Sequence, residues 1–186
     1  MNEHLNNFVI VSIAFIVANS VTLGFVLPLQ SLLLSGSQLE IGLLFLPHGV
    51  RILAFYFYGW RAIFYMLPSS YLFMLLTNGI GANLDTLSPV VSMVACYVGF
   101  VVGSVLITGQ KKQLSFRMWK FFVVVGAISS LFNGIALSWL QHSGTEIISI
   151  IGYIIGDVAG LIACLIILMY SFRLARLAGS EDSNWS

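Results

Sequence analysis

The sequence predicts an all-α integral membrane protein, a bundle of about six transmembrane helices with both termini cytoplasmic. Three observations carry that expectation. Of 186 residues, 59% are hydrophobic and 8% are charged, against about 25% charged in an ordinary soluble domain. The mean hydropathy is +0.97, which leaves too little polar surface to cover a water-soluble globule. The basic residues fall on alternate connections between apolar stretches. A soluble enzyme, a disordered chain and, at a net charge of only +1, a nucleic-acid binder are excluded on these grounds.

A spanning helix needs about 20 apolar residues, and six stretches qualify as candidates: 8–27, 41–58, 62–76, 89–107, 121–140 and 147–170. None alternates with the period of a transmembrane barrel strand. The first follows a start, Met1 to Asn7, that lacks the basic region of a cleaved signal peptide, so it is expected to be retained. The second ends in Phe55, Tyr56, Phe57, Tyr58 and Trp60, an aromatic belt at the interface. The third is short and interrupted by Pro68. Trp119 and Trp139 frame the fifth.

Charge placement supports the count. Arg61 lies between the second and third stretches; Lys111, Lys112, Arg117 and Lys120 lie between the fourth and fifth; Arg173 and Arg176 follow the sixth. The opposite connections hold Glu40, Asp85 and Glu146 without Lys or Arg. Every basic residue except Arg51 therefore sits on one side, as the positive-inside rule requires when both termini are cytoplasmic. The chain reads as one polytopic domain over 1–176 and a short cytoplasmic tail over 177–186, polar and disordered.

Two charges of opposite sign fall near mid-depth: Arg51 in the second stretch and Asp157 in the sixth. Each costs about 2.5–3.5 kcal/mol at a helix centre, so the simplest expectation is that they pair, as a ligand site or switch or as a structural clamp. His48 lies three residues before Arg51, on the same helix face. Pro47 and Gly49 would bend the helix there. Asn133, with Ser129 and Ser130, and Asn19 with Ser20 add polar groups that complete a cavity or merely bond across helices. Small residues recur every four positions at Gly152, Gly156, Gly160 and Cys164, and again at Ala95, Gly99 and Gly103; such ridges let another helix approach closely. Cys96 and Cys164 have no partners at ligand spacing, so no metal, disulfide or cofactor is expected. No nucleophile–base pair or phosphate loop is present, and an enzyme is not expected.

The run Leu46-Pro47-His48-Gly49-Val50-Arg51, the turn Gly59-Trp60-Arg61-Ala62, the basic approach to a Ser/Asn-dotted helix over 116–140 and the segment Gly156-Asp157-Val158-Ala159-Gly160 occur in that order. That order resembles the bacterial membrane-associated sensor domain of the first-described type, over about 41–168. The resemblance implies a multi-pass protein of the bacterial inner membrane. It would bind a small ligand at the Pro47–Arg51/Asp157 centre and, with no output domain after Arg176, signal through another membrane protein. That partner would be a kinase, a cyclase, a transporter or a larger complex, or a second copy of the chain. Two other readings stay open. The size and Ala14-x-x-x-Ala18 suit a substrate-binding subunit of a vitamin-type transporter; the small-residue ridges suit an accessory or assembly subunit.

Overall fold

The computed structural model describes residues 2–33, 42–78, 87–108, 118–140 and 147–181. Among them there is no strand. The helices are α1 (Asn2–Val21), continued through a π-helical turn (Thr22–Val26) into α2 (Leu27–Leu33), then α3 (Leu46–Tyr58), α4 (Arg61–Asn78), α5 (Ser88–Thr108), α6 (Met118–Leu140) and α7 (Ile147–Glu181). Four are long and apolar enough to cross a membrane: Glu3–Leu33, Ser88–Ile107, Met118–Leu140 and Ile150–Leu174. Large side chains such as Ile10, Phe57, Phe64, Val105 and Ile167 are exposed on their outer faces, the pattern of helices solvated by lipid. Glu40, Asp85, Lys111, Lys112, Arg117 and Glu146, on which part of the charge argument rests, lie outside the described residues.

Three expectations are corrected. The second stretch is not one helix from residue 41. Residues 42–45 are non-helical, and α3 has only 13 residues, about 20 Å at 1.5 Å per residue. Pro47 therefore does not bend a helix but opens one, in its first turn, where its missing N–H is no loss. The tail is not disordered from residue 177, because α7 continues to Glu181.

The reason α3 starts late lies on α7. Phe45 N donates to Gly156 O at 2.9 Å, and Leu43 N donates to Gln30 Oε1 on α2 at 2.8 Å. The backbone of 42–45 lies so close to α7 that a methyl at Gly156 or Gly160 would collide with the carbonyl oxygens of Gly42 and Phe45. The ridge continues under α3: a Cβ on Gly49 would stand 2.9 Å from Leu161 Cα and 2.7 Å from Cys164 Sγ. Cys164 Sγ in turn reaches Leu46 O at 3.4 Å. The second ridge is also used inside the chain, with Gly99 against the Ser129 backbone and Gly103 against Val125, locking α5 to α6. Ala95 lies one turn before Gly99 on α5, half-buried, and Gly152 one turn before Gly156 on α7, half-buried.

α3 is the hub. It touches α1, α4, α5, α6 and α7, and its Ile52 and Phe55 are buried with Phe15, Met66, Met93, Val125 and Leu161. Phe55 meets Tyr97 and Phe100 edge-on or tilted, at 5.4 and 5.9 Å between centroids. Tyr56 stands edge-on to Phe122 at 4.9 Å. α3 ends at Gly59, whose φ of 57° suits a residue without Cβ.

Candidate functional site

α3 carries both polar side chains predicted for it, and the structure sends them to different helices. His48 is fully buried. Its Nε2 lies 3.1 Å from Gly126 O on α6, and its Nδ1 lies 3.4 Å from Asp157 Oδ2 on α7. The same carboxylate oxygen accepts the hydroxyl of Ser130. Asp157 is ten residues into the 35-residue α7, about 15 Å along its axis, where it meets the first turn of α3. A carbonyl only accepts, so Nε2 carries a proton. Nδ1 faces the carboxylate at 3.4 Å and is buried with no hydrogen-bond partner among the described residues.

The expected Arg51–Asp157 pair is not formed. Arg51 is one turn further along α3, rotated toward α5, where Nη1 donates to Ser92 Oγ at 2.9 Å and approaches Cys96 Sγ at 3.9 Å. Its Cζ stands 5.5 Å from the Phe15 ring centroid on α1, within cation–π range. Nε is buried with no hydrogen-bond partner, and among the described residues no carboxylate lies within ion-pair distance of Arg51. The physical reason is positional: α3 lies between α5 and α7, and the α7-facing side is already taken by His48. Sequence reasoning placed two charges at mid-depth and joined them. It missed that a histidine one turn away competes for the acid.

The two clusters connect through the neighbouring helices. Ser129 Oγ donates to Cys96 O at 2.7 Å, so a polar seam runs from Arg51 through Ser92 and Cys96 on α5 to Ser129 and Ser130 on α6 and on to Asp157 and His48. Ser92 was not anticipated; its only sequence signal is its position one turn before Cys96. Asn133, one turn beyond Ser130, is not drawn into the seam, and its Oδ1 is buried without a partner. Asn19 bonds its own helix at Phe15 O, and Ser20 is exposed. Among the described residues no group of three His, Cys, Asp or Glu could hold a metal ion.

α3 has a second face. Leu46, Val50, Leu53, Ala54 and Phe57 form the floor of a groove of about 420 Å³ between α1 and α7. The polar seam and the groove therefore lie on opposite sides of one short helix. Comparison of the chain with protein-family models, with curated proteins and with solved structures found no match.

Proposed function

We propose that this chain is a sensor-like integral membrane module, with about six crossing elements and both termini on the cytoplasmic side of a bacterial inner membrane. It binds a small ligand or a membrane partner at the α3 centre and passes the change to another protein. One observation carries this reading: α3, hung between the non-helical 42–45 segment and the Gly59 turn, bears both His48 and Arg51, each tied to different helices. A ligand that displaces α3 alters both clusters together. Such a ligand needs only to favour one placement of that helix over another. The order of the Pro47–Arg51, Gly59–Arg61 and Gly156–Gly160 segments supports the same reading. Gly156, Gly160, Gly99 and Gly103 pack against the chain's own backbone, so these ridges do not by themselves favour a lateral-assembly role.

The test is affinity purification of the tagged chain from native membranes, with mass spectrometry of co-purifying proteins and small molecules, beside the Arg51→Met and Asp157→Asn variants. The reading expects a protein partner or small molecule that either substitution removes while the fold persists by circular dichroism. Identical recovery with both variants would show that the site is wrongly placed.

A further inference from the structure

The groove between α1 and α7 has dimensions and chemistry that the sensor reading does not use. It follows α3 from Leu46 to Tyr58, roughly 18 Å at 1.5 Å per residue. Its α1 wall runs from Val21 to Ile10 and its α7 wall from Cys164 to Ser171. The groove, about 420 Å³, is lined almost wholly by apolar side chains along that length, which suits one extended hydrocarbon chain lying beside α3. Two polar atoms of its α7 wall are already engaged within the chain: Cys164 Sγ is turned to Leu46 O and Ser171 Oγ to Ile167 O.

The two ends differ. The Leu46 end is lined by Cys164 and Val21. The Tyr58 end lies at an aromatic girdle, where Tyr58 stands 5.6 Å from Tyr65, Tyr65 Oη meets His4 Nδ1 at 3.0 Å, and Trp60 is exposed. Arg61 at the start of α4 and Arg173, two residues past Ser171, are exposed beside it; Glu3 on α1 is the one described carboxylate at that end. We infer that the groove is a binding site for one acyl chain of an anionic phospholipid, the chain lying along α3 and the phosphate at the Tyr58–Arg61 turn. Occupancy rests on the groove itself and holds whether or not the module signals.

The experiment is native mass spectrometry of the full chain released from nanodiscs of equal parts phosphatidylcholine and phosphatidylglycerol. The wild type retains one phosphatidylglycerol. Ala14→Phe, an exposed groove residue whose enlargement fills the space without touching the core, lowers that retention about tenfold. Ile13→Phe, exposed on the same helix and outside the groove, retains it. Arg61→Gln keeps a lipid but loses the preference for phosphatidylglycerol. Arg51→Met, the variant that tests the sensor reading, also keeps its lipid, so the two ideas fail separately. Retention by Ala14→Phe at the wild-type level, equal loss in Ile13→Phe, or a dimer that Ala14→Phe dissociates would overturn the assignment. An unchanged preference in Arg61→Gln would overturn its headgroup half.

Discussion

His48 Nδ1 lies 3.4 Å from Asp157 Oδ2, and this contact, not an arginine–aspartate pair, anchors the start of α3 to α7. Breaking a buried pair from one side leaves the other charge stranded, at about 3–5 kcal/mol in soluble proteins; hydrogen bonds inside membranes measure nearer 0.6 and at most about 1.7 kcal/mol. Asp157→Ala is therefore expected to destabilise the fold by about 2–3 kcal/mol, and Ser130→Ala, which removes one hydroxyl from the same carboxylate, by about 1 kcal/mol. Denaturation in mixed detergent micelles reads both. Equal losses would show that the carboxylate contributes only its bond to Ser130 and that the His48 contact does not hold α3 to α7.

The Gly126 carbonyl at 3.1 Å from Nε2 makes a spectroscopic prediction. With a carbonyl as neighbour, Nε2 has to donate. Nitrogen-15 NMR of histidine-labelled protein is expected to show a protonated Nε2 at His48 and a ring held in one orientation. In Asp157→Asn, Nε2 stays protonated while the Nδ1 signal moves. A signal from an unprotonated Nε2 would contradict the hydrogen-bond assignment.

Arg51 makes the opposite energetic prediction. It has no ion partner among the described residues, one strong hydrogen bond to Ser92 and a buried Nε left unpaired. An apolar chain of similar reach removes a charge that costs about 2.5–3.5 kcal/mol at a helix centre and loses about 1 kcal/mol of hydrogen bonding and about 0.5–1 kcal/mol of cation–π attraction to Phe15. Arg51→Met is expected to be neutral or to stabilise by about 1–2 kcal/mol in the same denaturation assay. A residue whose removal stabilises the protein is retained for something other than stability, which links this measurement to the proposed function. A clear loss of stability would instead make Arg51 a structural tether between α3, α5 and α1.

What the sequence made legible follows its strongest signals. Four of the six expected stretches form helices of spanning length, because twenty apolar residues in a row have few alternatives in a bilayer. The mid-depth charges were visible because Arg51 and Asp157 stand alone in apolar surroundings. Their partners were not visible, since pairing depends on where α3 begins. That beginning depends on contacts over a hundred residues away, the approach of Gly42 and Phe45 to Gly156 and Gly160. Spacing predicts that glycines every fourth residue make a flat surface; it does not say that a non-helical segment of backbone, rather than a helix, will lie on it. Gln30 was likewise unremarkable in sequence, yet its side chain accepts the Leu43 N–H that the missing helix turn leaves free.

The glycines of α7 allow the sharpest separation of close packing from backbone freedom. At Gly156 and Gly160 an added methyl meets carbonyl oxygens of the 42–45 segment, which cannot yield without breaking the Phe45 N–Gly156 O hydrogen bond. At Gly24, in the π-helical turn of the first helix, an added methyl meets nothing within 4 Å. Alanine favours a helix over glycine by about 0.5–1 kcal/mol, so backbone freedom alone predicts a gain at all three positions. Packing predicts a split: Gly24→Ala neutral or stabilised by about 0.5 kcal/mol, and Gly156→Ala and Gly160→Ala each destabilised by about 2–3 kcal/mol, within the 1–3 kcal/mol typical of overpacked cores. Because the 42–45 segment also sets the height of His48, the two α7 variants are expected to disturb the His48 nitrogen signals, and Gly24→Ala to leave them unchanged. Three variants with equal stability and unaltered His48 signals would mean that α7 does not hold the segment in place.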